Sequence, residues 1–316
     1  GRACVCAGAV EHFRPGVSDG LGRGAARLAE ENPRLVYCAI SGYGQETPYR
    51  ARSGHDLNDL GLAGLVAMTG AADGPPMAPA GQVSDLGVAL LAAVATLAAL
   101  RERDRSGRGQ FVDVSLLDAS AIWLGLTAAR HLCDGEAPRR GRTEQAVCYR
   151  PYACKDGWVT LAALEPKFWM AFCKGIGRED LADRQFDAPG SQTHAALEAI
   201  FATRGRAEWK AFADQHDCCL EPVLEFDEAL ASPLFDARGL VSTLAQPGIE
   251  KAVRHLATPF KLSRTPPAPC MPAPRLGEHT CETLAGLGYS HEEIEMLLQS
   301  GAAAGPAESA QGDFLA

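Results

Sequence analysis

The chain has 316 residues, 47% hydrophobic and 22% charged, a balance that allows a sizeable core over one large or two ordinary domains and excludes disorder as the default. Its net charge of −9 argues against generic nucleic-acid binding, which needs a basic surface to displace counterions; an anionic ligand would have to meet a local group of Arg, Lys or helix N-termini. The 11 cysteines are odd in number and form no repeated CxxC pair, so they read as reduced thiols of a cytoplasmic protein rather than a zinc site or a disulfide framework.

The first residue is Gly1, and Arg2 to Phe13 reads as though the chain opens part-way into a fold. Leu35 to Ser41 is a short apolar run closing on Gly42-Tyr43-Gly44, the pattern of a buried strand entering a glycine-rich loop. Ser84 and Asp85 precede an apolar pattern through Leu86, Leu90, Leu91, Val94, Leu97 and Leu100. That spacing predicts a helix capped by Ser84 and ending near Ser106-Gly107. The apolar stretch from Leu86 to Leu100 is too short for a bilayer and predicts a buried core helix. Phe111 to Val114 predicts a strand, and Leu116 to Ala129 a helix. The order of elements points to an α/β fold.

Asp134 to Glu144 is polar, with Pro138 and Gly141, and reads as a linker. Lys155-Asp156-Gly157 between two apolar runs predicts a hairpin, and Pro166 opens a helix to Gly175. Pro259 to Pro274 is proline-rich and predicts an extended connection. A helix ending near Ala285 follows, then one over His291–Gln299 with Ser290 and Glu293 in capping-box positions. Gly301 to Gln311 reads as a disordered tail. The expected domains are 1–133, a linker over 134–145, a smaller α/β domain over 146–245, and a return segment over 246–316.

Three places carry candidate chemistry. His55 follows Gly54 just before a predicted helix. It is either a structural histidine bonding its own backbone or a general base, since imidazole exchanges protons near neutral pH. Asp85 is either a first-turn carboxylate complementing the helix dipole or an acid, base or nucleophile. In the second case nearby backbone N–H groups could hold a developing oxyanion. Glu165 is either a solvated strand end or a carboxylate orienting a histidine.

Ordered together, Phe13-Arg14-Pro15-Gly16-Val17, Asn32 to Tyr37, Ser41-Gly42-Tyr43-Gly44-Gln45, Gly54-His55-Asp56-Leu57-Asn58, Ser106 to Asp113, Leu164 to Trp169 and Gly277-Glu278-His279-Thr280 resemble the α-methylacyl-CoA racemases of the class III CoA-transferase (CaiB/BaiF) superfamily. The resemblance implies an incomplete Rossmann-like large domain, a smaller α/β domain and an interlocked homodimer. By matching positions it implies His55 and Asp85 as the two proton-exchanging groups, Glu165 as the partner of the histidine (in the dimer, the histidine of the other chain), and Arg14 with Gly54, Asp56 and Asn58 as coenzyme A contacts. It implies acyl-CoA as substrate, no tightly bound cofactor or metal, and neither nucleic acid nor membrane as partner. The family's opening strand–helix–strand has no counterpart before Gly1. The racemase Tyr is replaced by Asp59, an Asn by Gly81 and a Gly by Ser84, departures that leave substrate preference open. The alternatives are a CoA-transferase with Asp85 as nucleophile, or an inactive CoA-binding protein. Transferases commonly carry Tyr at the place of His55 and a glycine-rich shielding loop. Ala146 to Asp156 contains no glycine, so both features favour proton transfer.

Overall fold

The computed structural model describes residues 6–135, 138, 140–141, 146–246, 249–268 and 270–306. A three-stranded parallel sheet comes first, in the order β1 (Gly8–Glu11), β2 (Val36–Ser41), β3 (Phe111–Ser115). Strand β2 is central, with every residue buried except the half-buried Ile40, as an unbroken apolar run predicts for a strand covered on both faces. Helices α1 (Val17–Gly20) and α2 (Ala25–Glu31) link β1 to β2. The link to β3 carries α3 (Asp56–Leu62), α4 (Leu65–Met68) and α5 (Val83–Ser106).

Helix α5 departs from expectation in three ways. It starts at Val83, so Ser84 lies inside the first turn and Gln82 takes the cap position without a side-chain bond. It is 24 residues long, and by length and apolar composition alone it could cross a membrane. Nor is it a wholly buried core helix. Its buried face is made of small residues, Ser84, Gly87, Val88, Ala92 and Ala99, which bring the helix axis close to β2, β3 and α6 (Leu116–Ile122). A methyl on Gly87 would stand 3.0 Å from the Trp123 indole nitrogen. The larger residues Leu86, Leu90, Val94 and Leu97 point away and are about two-thirds exposed. The helix expected over 116–129 is two helices, α6 and α7 (Gly125–Asp134), meeting at Trp123-Leu124.

The linker reading falls largely on residues outside those described. Beyond it, β4 (Tyr149–Cys154) and β5 (Gly157–Ala162) pair as the expected antiparallel hairpin, with Lys155-Asp156 as the loop and Gly157 at φ 149°. Strand β6 (Leu220–Pro222) pairs antiparallel with β5. Helices α8 (Pro166–Gly175), α9 (Gln192–Phe201) and α10 (Arg206–Ala213) supply the aromatic core of this layer. Trp169, Phe172, Phe201 and Trp209 join Tyr152 there, each essentially inaccessible to water. Their polar edges are satisfied: the Trp209 indole N–H donates to Phe201 O at 3.0 Å, and Tyr152 Oη to Val147 O at 2.7 Å.

Contacts group the chain into two units, Gly1–Val223 and Leu224–Ala316. The second holds α11 (Phe226–Leu230), α12 (Pro233–Arg238), the hairpin β7 (Val241–Leu244) and β8 (Val253–Leu256), α13 (Thr280–Gly286) and α14 (His291–Gln299). The described residues of Pro259 to Pro274 carry neither helix nor strand, as their prolines predict. The capping box at Ser290 is present: Ser290 Oγ accepts from Glu293 N at 3.2 Å and Glu293 Oε2 from Ser290 N at 2.7 Å. Of the predicted tail, 307–311 lie outside the described residues, and 301–306 carry no helix or strand.

Candidate active site

In a parallel α/β sheet, ligands bind beyond the carboxyl ends of the strands. Here those ends lead into the segments that carried the sequence motifs. Exposed Arg14 follows β1 and closes a turn in which Arg14 O accepts from Val17 N at 3.1 Å. The loop after β2 is folded onto itself and its neighbours: Ser41 Oγ accepts from Gly44 N at 3.1 Å, and Asp113 Oδ2 from Gln45 N at 3.1 Å. Gly54 lies against the buried Tyr43 ring, where a Cβ would stand 2.5 Å from the Tyr43 hydroxyl. Glycine at 54 is therefore needed for packing, whatever ligand it meets. Arg52 stacks on Tyr49, its guanidinium carbon 3.7 Å from the ring centroid, and places a cation in the same loop.

His55 is the N-cap of α3, extended at φ −127°, ψ 166°. Its backbone is fixed by Asn58, whose Oδ1 accepts from His55 N at 3.0 Å. The imidazole is exposed at the start of α3, where a ligand can reach it.

Asp85 sits in the first turn of α5, also at the surface. The two helices are joined at their N-termini by Asp56, whose Oδ1 accepts from Ser84 N at 2.7 Å and from Asp85 N at 3.2 Å. The cap expected of Ser84 is thus supplied by a residue from another helix. Ser84 Oγ instead donates to Leu116 O at 2.9 Å and ties α5 to α6. The Ser84 and Asp85 N–H groups are thus engaged by Asp56 and are not available to a developing oxyanion. Asp56 and Asn58 likewise use a side-chain oxygen each to build the site.

The carboxylates crowd one another. Burial, then the charge of Asp56, raise the Asp85 pKa above the usual carboxylate range, and His55 opposes the shift. Imidazole and carboxylate therefore feel each other across the α3–α5 junction. Asp59, one turn after Asp56, is fully buried, and neither of its carboxylate oxygens has a hydrogen-bond partner among the described residues. Burial first, then Asp85 and Asp56, push its pKa up to about 6, with its own backbone N–H and His55 offsetting part of this. The sequence marked Asp59 only as a departure from the family Tyr. The available signal was its spacing: Asp56 and Asp59 are like charges three apart on one helix, which repel when both are ionised.

Glu165 stands elsewhere, as the exposed N-cap of α8 with Pro166 in the first turn. Its charge acts on Cys219, whose φ of 54° is left-handed, rare for a side-chain-bearing residue. Among the described residues none of its contacts is with His55.

The comparisons with known proteins place the chain in a family. Residues 9–280 match the model of CoA-transferase family III. The chain belongs to that family. It is 33% identical to the α-methylacyl-CoA racemase of Mus musculus over 313 residues, covering 91% of this chain and 76% of that protein. It is equally 33% identical to the succinyl-CoA:mesaconate CoA-transferase of Haloarcula hispanica, covering 90% of this chain and 75% of the relative. Among solved structures it resembles a CaiB/BaiF family protein from Brucella suis, with a TM-score of 0.75 at 26% identity over 90% of this chain and 76% of that one. The chain is thus an enzyme of the acyl-CoA racemase or CoA-transferase kind, with CoA thioesters as the family's substrates.

Proposed function

We propose that this enzyme racemises or epimerises 2-methylacyl-CoA-type thioesters, with His55 and Asp85 exchanging the α-proton through an enolate. The observation that carries the reading is the Asp56 pin. It holds the first turn of α5 against the residue that follows His55, so an exposed imidazole and a carboxylate of raised proton affinity flank one junction. Inverting a stereocentre needs a base on one face of the carbon and an acid on the other. The thioester carbonyl lends the C–H its acidity, and no redox step is required. One group takes the proton as the other gives one, and the roles exchange with the hand of the substrate. Arg14 and the Gly54–Asn58 backbone would receive the CoA moiety.

The second reading is CoA transfer, favoured by the equal identity to a transferase. Asp85 would then attack the thioester carbonyl and release the CoA thiolate, leaving an acyl anhydride. CoA would attack the anhydride to give an enzyme thioester and free the first acid, and the second acid would collect the CoA through another anhydride. Incubation with a 2-methylacyl-CoA in D2O, without any free acid, separates the two. Deuterium entering the α-position, abolished by Asp85→Asn and by His55→Gln, is the expected result. CoA passing to added mesaconate or glutarate with no α-exchange would replace the racemase reading.

We also propose a homodimer. The bare stripe Leu86, Leu90, Val94, Leu97 on α5 would be covered by a second copy, whose Glu165 would orient His55 across the interface. This is supported by the length of the apolar face, about three turns of helix.

A further inference from the structure

Asp59 is not used by the reaction as derived so far, yet its carboxyl group lies in the interior of the molecule. It is fully buried, and both of its oxygens lack partners among the described residues. A charged carboxylate does not persist so placed unless something compensates it. On its own helix it faces Asp56 and His55, from α5 it faces Asp85, and from the loop after β2 it faces Tyr43, whose own pKa is raised by burial and then by Asp59. Its Oδ1 lies 3.8 Å from the place a Cβ on Gly42 would occupy, directly beneath that loop. Of the other helices packed on α3, α4 has no titratable residue and α6 offers only the exposed Asp118. No cation among these groups neutralises it except a protonated His55.

We propose that Asp59 is a positioning residue that acts through Asp85: it holds a proton inside the α3–α5 junction while Asp85 ionises, so that Asp85 carries its charge beside one negative neighbour rather than two. The logic is one of shared charge. With Asp59 protonated, Asp85 meets one charged neighbour, Asp56, and ionises readily as a base. Once Asp59 also ionises, at higher pH, a second negative charge stands beside the already ionised Asp85 and destabilises the charged junction. The pair therefore loses its protons in two steps over one pH interval, Asp85 first and Asp59 at about 6. A family Tyr at this position would stay neutral throughout that interval; the replacement by Asp59 gives this chain a pH dependence of its own. The inference rests on the proton-transfer reading for its kinetic consequences but not for the protonation itself.

Two measurements on the whole chain test it. The first is the infrared spectrum: a carboxylic acid C=O stretch should be present at pH 5, disappear with a midpoint near pH 6, and be missing from Asp59→Asn. Absence of such a band, or its survival in the variant, overturns the proposal whatever the reaction is. The second is the pH profile of kcat/KM for α-deuterium exchange on the two hands of 2-methylbutanoyl-CoA. Wild type should show an additional inflection near pH 6 that Asp59→Asn, never charged, lacks, while the limb belonging to Asp85 stays in place. Profiles that superimpose overturn the proposal while leaving the racemase reading intact. The racemase reading fails separately, if Asp85→Asn retains full exchange.

Discussion

Replacing Asp59 with Asn should make the protein more stable at neutral pH, the reverse of the usual outcome for a buried residue. The unfolded chain titrates this carboxyl near its ordinary value of 3.8, whereas the folded site raises it to about 6. A group with a raised folded pKa contributes its full stability below the unfolded value and loses it as pH rises through the folded one. The difference of about two units corresponds to about 3 kcal/mol of lost stability above pH 7, at 1.36 kcal/mol per unit. Asn has the same shape and no charge to desolvate, although its amide also goes unpartnered, which trims the gain to about 1–3 kcal/mol. Urea midpoints of wild type and Asp59→Asn at closely spaced pH values give the answer. The curves should meet at pH 4 and separate between pH 4 and 6, with the variant more stable and the gap constant above pH 7. Other carboxylates acidify alike in both proteins and cancel in the difference. A gap that is flat from pH 4 to 8, or a variant less stable at pH 8, would show that the folded state does not hold Asp59 as an uncompensated acid.

Asp56→Ala removes the acceptor shared by Ser84 and Asp85 N–H; it should cost about 1–2 kcal/mol of stability, as loss of a helix cap does, and lower α-deuterium exchange at least tenfold, while Asp56→Asn, which keeps one oxygen, loses less of both. Trp209→Ala empties a fully buried site packed on Phe201 and Phe212, and its expected cost of about 3–5 kcal/mol is read from urea unfolding. Leu90→Glu places a charge in the α5 stripe, where Leu90 is 64% exposed; it should leave each chain folded by circular dichroism but shift the mass seen by light scattering from dimer to monomer.

What the sequence made legible was local. Helix α8 runs from Pro166 to Gly175 as expected because its signals, a proline in the first turn and an apolar periodicity, act within the segment itself. The β4–β5 hairpin is read from a two-residue loop before Gly157, and β2 from an unbroken apolar run. Helix α5 shows where this reading stops. Large apolar residues at helical spacing normally mark the buried face, but here Gly87, Ala92 and Ala99 face inward because the helix must approach the sheet and α6 closely. The leucines are turned outward, where nothing among the described residues fully covers them. Helical periodicity reports that a helix has two faces; which face the rest of the molecule needs depends on how near its neighbours come.

The site repeats that limit at closer range. His55 and Asp85 are motif positions, and nothing in their spacing announces that the helices carrying them are joined at their N-termini. That joining depends on Asp56, which bonds residues 28 and 29 positions along the chain, a separation over which no periodicity or cap rule operates. Asp56 could do this only because a first-turn carboxylate of α3 is free to reach another helix: His55 N is already satisfied by Asn58, so Asp56 is not required for its own cap. The same turn of helix then carries Asp59 inward beside Leu60, since residues three and four apart from Asp56 lie on its side of the cylinder. One geometric requirement, that Asp56 point at α5, therefore fixes three things together: the position of Asp85, the exposure of His55 and the burial of Asp59. A shift of Asp56 would disturb all three, whereas neutralising Asp59 should leave the other two in place. That contrast between the two aspartates, one positional and one electrostatic, is what separates a pinned junction from a merely acidic one.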